Sequence, residues 1–427
     1  MPYPPTLPED PPADIAQLLL QHFLPHAEQV GFFLRKERFL AVATSLDEQQ
    51  RTSKLSRALL DAVYLYGAHL SRIGTLMMHE PTLLARAARG VGDDLASKRY
   101  PVVQIIQAEV LLAHYFFCMG RLLEGKYHTS AAVALVLSAR LHKIRSELSP
   151  AQDGDSLSDV TEDGIAEGEK INAFWTVFAL DREWADVSGT PSPLYGQGSS
   201  PFTIEAIDTP WPLDTGDYDA VRTAAPYVRG SRTVYDFLHD LPSVSMGDTS
   251  FLALRAKAAT LLERAARLST CAPRLAGLRQ THAEEMQQLT GLIERFITSL
   301  PKMEASLEPH AVCHLLVIYT QAHVAMILLY RNSVEIPGTI PRRCLDAARA
   351  VSTQVIGPVD MQQLHYVDPI LAPSQPLWTI VVRVLFARMK PLGLLDAERD
   401  RARFLVERAL QAITRFAFIS PLMGMFL

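Results

Sequence analysis

Cysteine is scarce in this chain: Cys118, Cys271, Cys313 and Cys344 are the only four in 427 residues. None forms a CxxC pair, which excludes a zinc finger or zinc cluster built from these residues. Cys118, Cys313 and Cys344 fall in apolar helical context, so buried free thiols and a reducing compartment are expected. Positive charge is not in excess either. Lys and Arg number 41 against 46 Asp and Glu, leaving a formal charge of −5. The surface as a whole therefore cannot act as a nucleic-acid platform, although a local basic patch remains compatible with that balance. The N-terminus, MPYPPTLPEDPP, lacks the basic and apolar regions of a signal peptide. No apolar run approaches the roughly 20 residues of a membrane span, so a protein in solution, with no membrane contact, is expected.

Motifs for catalysis are equally sparse. There is no GxGxxG, no GxxxxGK[ST] and no GxSxG, which removes the commonest nucleotide and hydrolase sites. The segment HAVCH places His310 and His314 one helical turn apart, but Ala311 stands where a metalloprotease needs glutamate, so core or interface histidines are expected. Asp93-Asp94 resembles the start of the Asp-rich magnesium motif of helical terpene cyclases, yet Ser97 and Lys98 occupy the next turn and no second acidic cluster follows. No catalytic, metal-binding or DNA-contacting residue is assigned, and the chain is read as a non-enzyme without a cofactor.

What the chain does have is helix-forming sequence. Hydrophobic residues make up 48% and charged residues 20%, an ordinary globular balance. Residues 1–13 hold six prolines and read as an extended arm. From Asp14, taken as an N-cap, a short helix runs to Pro25; one helix covers 27–45, another 48–73, and a short one runs from Pro81 to Gly90. Further helices are placed at 230–240, 249–270, 275–299, 309–332, 340–356, 376–390 and 396–418. Irregular crossings over 190–217 and 365–376 separate them, and the apolar ending FAFISPLMGMFL has to be covered. No strand-like alternation and no repeat of 34 to 40 residues is present. The expectation is an all-α fold: one large multi-helix domain over 14–427, made of antiparallel hairpins and long irregular crossings.

The most informative stretch is 102–193. Two long apolar helices, VVQIIQAEVLLAHYFFCMGRLL and KYHTSAAVALVLSARLHKIRSE, join near Glu124-Gly125 and must pack antiparallel. Residues 147–169 carry eight acids and no Lys or Arg, the composition of a solvated loop. A third helix then reads EKINAFWTVFALDREWADVSGTP and stops at Gly189 and Pro191. An adjacent Asp and Arg such as Asp181-Arg182 is usually a surface pair of small energy, and His142 reads as a helix-end histidine suited to the C-terminal dipole or as a ligand contact, with the architectural reading favoured. Phe116, Phe117, Met119, Trp175, Phe178 and Trp184 read as core.

In order and spacing these pieces resemble the middle homology region of fungal zinc-cluster (Zn2Cys6) transcription factors. The resemblance rests on Leu141-His142 before a basic residue, then Trp175, Phe178, Asp181-Arg182 and Gly189-Thr190-Pro191, followed by Ile207-Asp208-Thr209-Pro210-Trp211-Pro212. Two positions depart from the family pattern: Arg140 stands where the family has Gly, and Thr190 where it has Arg. The resemblance implies a helical regulatory domain in the nucleus, acting on RNA polymerase II transcription and responding to an effector. It makes Leu141, His142, Trp175, Asp181, Arg182, Gly189 and Pro191 structural or regulatory positions, with Asp181 partly buried under the Gly-x-Pro turn. The implied partners are the transcriptional machinery or another zinc-cluster factor, with a homodimer and a small-molecule effector also compatible. Zinc would enter only through a cluster encoded upstream, and without it direct DNA binding is not expected. A helical peptide-binding scaffold unrelated to transcription is the alternative.

Overall fold

The computed structural model describes residues 11–45, 47–146, 164–185, 206–214, 218, 230–241, 249–270, 277–304, 306–331, 341–359, 364, 366, 368–371, 377–388 and scattered positions from 400 to 424. Among these the fold is all-α, with no strand; the one β-bridge is isolated, between Ser146 and Gly230. The chain separates into two compact units. The first comprises residues 1–178, 196–233 and 245–248, and the second the remainder.

In the first unit the helices are α1 (Ala13–Phe23), α2 (Lys36–Ala43), α3 (Glu48–Lys54), α4 (Arg57–Ser71), α5 (Gly74–Met77), α6 (Glu80–Ser97), α7 (Val102–Cys118) and α8 (Leu122–Ser138). The first part of α9 (Gly164–Ala185) also belongs here. Helix α7 is apolar nearly all round, and it is buried from Ile105 to Cys118. It forms the predicted antiparallel hairpin with α8.

Several boundaries differ from the expected ones, each for a local reason. The cap of α1 is Pro12 rather than Asp14, which sits in the first turn. Residues 27–45 are not one helix, because Gly31 turns left-handed (φ 80°) after a short 3-10 turn and the helix restarts at Lys36. The helix placed at 48–73 is two. Leu55 is extended, and Ser56 caps α4 through its Oγ. Asp94 reinforces that cap by accepting from Ser56 Oγ at 2.5 Å and Ala58 N at 3.2 Å. The second acid of the Asp93-Asp94 pair is thereby committed to capping a helix. Helix α6 runs past Gly90 to Ser97, since Gly90 lies against Ala58 on α4 rather than ending the helix. The α7–α8 turn falls at Met119–Arg121, and Gly125 lies inside α8, where a Cβ would meet the Phe117 ring at 2.5 Å.

Several polar groups buried among these helices are paired. Asp61 receives Arg86 at 2.6 and 3.1 Å. Glu80 takes hydrogen bonds from His69 at 3.1 Å and from the Tyr115 hydroxyl at 2.8 Å. Burial works against the charge on His69, but its contacts with Cys118 and Glu80 outweigh it and push its pKa up to about 10.

The second unit contains the end of α9, then α10 (Thr233–Leu238), α11 (Phe251–Thr270), α12 (Gly277–Ser299), α13 (Pro309–Tyr330), α14 (Arg342–Ala350) and α15 (Leu377–Arg388). Its centre is α13, which packs along α11 and also meets α12, α14 and α15. Here the expectation about apolar runs needs correcting. At 22 residues and a mean hydropathy of 1.8 in its 18-residue window, α13 is long and apolar enough to cross a membrane. Yet 89% of that window is buried within the fold, the signature of a core helix wrapped by others. The three described cysteines, Cys118, Cys313 and Cys344, are buried and free.

Candidate regulatory site

The site starts where α8 ends. Arg140 adopts a left-handed conformation (φ 54°), which turns the chain into a 3-10 turn, Leu141–Lys143. That conformation explains why the resembled family carries glycine at this position, since a Cβ costs energy there. Leu141 and His142 are buried, 4% and 7% exposed.

The irregular crossing 206–214 is bonded directly to this turn. The Asp208 and Thr209 amides donate to the His142 carbonyl at 3.0 and 3.3 Å. The Thr209 hydroxyl donates to the Leu141 carbonyl at 2.6 Å and accepts from the Ile144 amide at 3.1 Å. Asp208 is fully buried. Its carboxylate accepts from Lys143 Nζ (2.8 Å), Ser146 Oγ (2.5 Å) and the Arg232 amide (2.9 Å). Gly230 is needed beside it, because a Cβ there would lie 2.1 Å from the Asp208 carbonyl oxygen.

From the other side α9 presents Trp175, fully buried. Its Nε1 donates to the Pro210 carbonyl at 2.7 Å, and its ring stacks on Trp211 with centroids 4.3 Å apart. Phe174 and Phe178 meet it edge-on. One turn earlier Asn172 accepts from the Tyr218 hydroxyl at 2.9 Å, and that oxygen in turn accepts from the Leu213 amide at 3.0 Å. Arg145 and Glu167 form a two-pronged pair at 3.1 and 2.7 Å. Three segments remote in sequence, around 142, 175 and 208, thus meet in one buried joint. Burial lowers the pKa of His142 first, and Lys143 adds to that.

Asp181 and Arg182 lie in the second unit and are 0% and 1% exposed. They are core groups, where adjacent Asp and Arg more often make a surface pair. The next residue, Glu183, was not singled out from sequence and holds the centre of the second unit. It binds Arg255 through two hydrogen bonds of 2.7 Å and accepts from Gln321 at 2.7 Å. Arg255 also reaches Asp368 at 2.8 Å. Burial raises the pKa of Glu183, with Arg255 opposing it. Burial likewise works against the charge on Arg255, but its two carboxylates more than compensate. Gly189 and Pro191 lie outside the described residues. His310 and His314 approach to 3.2 Å between Nε2 atoms, and Phe251 stacks on His314.

Residues 20–226 match the family model of the fungal specific transcription factor domain. This segment is a fungal-specific transcription factor domain. It is the middle homology region of the zinc-cluster factors that the motif residues resemble. No curated protein and no solved structure matches the chain. The domain begins within α1 and ends past the 206–214 crossing, so it contains His142, Trp175 and Asp208, while Gly230 and Arg232 of the joint follow it. Helices α10 to α15 fall outside it. A fungal-specific transcription factor domain implies transcriptional partners and a role in regulating transcription, and the family is a regulatory rather than a catalytic one.

Proposed function

We propose that this chain is the effector-responsive part of a fungal transcription regulator that acts in the nucleus on RNA polymerase II genes. Its immediate partners are the transcriptional machinery or another zinc-cluster factor, through which it reaches DNA, and a second copy of the chain or a small-molecule effector is also compatible. The observation that carries this reading is the fungal-specific transcription factor domain over 20–226. The joint at Leu141, His142 and Trp175 supports it, because these family-motif positions lie buried against the 206–214 crossing that follows them in the same motif. Within this reading the motif residues Leu141, His142, Trp175, Asp181, Arg182, Gly189 and Pro191 are architectural. Regulation is a population shift, in which a molecule that binds one helix packing better than another changes the surface offered to a partner.

The test is to tether the full chain to a heterologous DNA-binding domain upstream of a reporter in a fungal cell. Reporter transcription should rise or fall with the tethered chain, and the untethered chain should concentrate in the nucleus. A reporter held at baseline while the fusion occupies its operator would overturn the reading.

A further inference from the structure

In the second unit α12, α13 and α14 each turn one helical face toward a common groove of about 370 Å³. Glu294, Ile297 and Thr298 line it from α12, His323 and Met326 from α13, and Arg343, Asp346 and Ala347 from α14. The spacings of three and four residues on each helix are those of a single face. Met326 and Ala347, 7% and 6% exposed, give an apolar floor, with Ile297 half-buried beside them. The volume falls in the range of small-molecule sites, and an apolar floor lies under a rim of polar and charged groups.

His323 is the group that points to a ligand. It is 7% exposed and stacks loosely on Tyr319, with ring centroids 6.4 Å apart. Among the described residues no hydrogen bond to its ring is found, so its nitrogens are left to whatever fills the groove. Burial holds its pKa down at about 4, so at neutral pH it offers one N–H donor and one bare nitrogen acceptor. At the mouth Arg343 pairs with Glu294 at 3.0 Å, and Asp346 adds a second carboxylate. Asp346 in turn lies 3.7 Å from Arg342 and 3.8 Å from Arg349, so the charges at the mouth offset one another and favour neither an anion nor a cation.

From this geometry we infer that the groove is a binding site for a small, uncharged, ring-sized molecule whose one hydrogen-bonding group engages His323. The inference deepens the regulatory reading by naming where an effector enters and of what class it is, and it rests on that reading. It also places the entry outside the family-matched segment 20–226.

The probes are indole, which carries an N–H, and indene, its near-isostere without one. Saturation-transfer NMR on the full chain measures the affinity of each. Because indene is the more apolar, a merely greasy surface prefers it, whereas a site holding an unpartnered imidazole prefers indole, by about tenfold. His323→Leu should bring indole down to the level of indene while indene still binds. Thr298→Trp, at an exposed lining position that can take a large side chain without disturbing the core, should abolish binding of both. Circular dichroism checks that each variant folds, and Thr298→Trp carries the test if His323→Leu does not. Indene binding as well as indole, no saturable indole binding, or indole binding unchanged in Thr298→Trp would each overturn the inference. An active tethered reporter without indole binding removes the groove and leaves the regulatory reading standing; indole binding with a silent reporter does the reverse.

Discussion

Trp175→Ala tests how the joint is held. The indole is fully buried, so its removal sheds a large transfer free energy and opens a cavity, together about 3–5 kcal/mol. It also leaves the Pro210 carbonyl, now bonded to Nε1 at 2.7 Å, without its donor, a further cost of about 1–3 kcal/mol where water cannot enter. The stack on Trp211 disappears as well, worth about 1 kcal/mol. These terms share atoms and do not add in full, so about 4–6 kcal/mol is expected. That is a large part of the 5–15 kcal/mol that holds an ordinary domain folded. Trp175→Phe keeps the edge contacts with Phe174 and Phe178 and loses the donor, and should cost about half as much. Urea denaturation followed by far-UV circular dichroism measures both without depending on tryptophan emission. A loss under about 1 kcal/mol for Trp175→Ala would refute the claim that this indole anchors the crossing. Equal losses for the two variants would refute the division between packing and hydrogen bond.

Arg140→Gly should stabilise the chain by about 0.5 kcal/mol in the same urea assay, since relief of left-handed strain slightly exceeds the entropy that glycine adds to the unfolded chain; a destabilised variant would show that the exposed arginine earns its place by another contact. Asp208→Asn swaps a carboxylate that accepts from Lys143, Ser146 and the Arg232 amide for a group that must itself donate. A loss of about 3 kcal/mol and a red-shifted tryptophan emission from a loosened Trp211 are expected, and native stability would remove Asp208 from the joint. For His69 the folded pKa of about 10 lies above the unfolded value of 6.5, so its contribution is complete below pH 6.5 and is lost as pH rises toward 10. Stability should fall by up to about 1 kcal/mol per pH unit between roughly pH 7 and pH 9, and His69→Gln should flatten that slope; an unchanged slope would mean that His69 is neutral in the fold.

The sequence made the local pattern legible and left the distant partners hidden. The hairpin of α7 and α8 could be read because apolar residues at helical spacing declare a buried face without reference to anything remote. Trp175 and Phe178 were recognisable as core for the same reason. The break at Leu55-Ser56 could not be read, because it depends on Asp94, 38 residues away, completing the cap. Gly125 looked like a turn because glycine usually ends a helix; here it is small so that Phe117 can pack against it. Glu183 gave no signal because its partners, Arg255 and Gln321, lie 72 and 138 residues further on. Asp208 had one faint marker, the acidic residue before a Thr-Pro-Trp-Pro run, and only the fold shows three donors converging on it.

The same contrast bears on where a regulatory domain can respond. At the family-motif joint the crossing is saturated: Asp208 accepts three hydrogen bonds, Thr209 both donates and accepts, and the Pro210 carbonyl is taken by Trp175. A ligand arriving there would have to break bonds already made in a dry setting and could recover little, so it has no means of preferring one packing over another. Motif residues in such a place recur because the fold needs them. A group that gains by binding is one left short in the folded chain, and His323 in its groove on α13 is of that kind. On the proposal above, an effector would therefore enter at the groove beside His323, beyond the family-matched segment, and not at the motif joint.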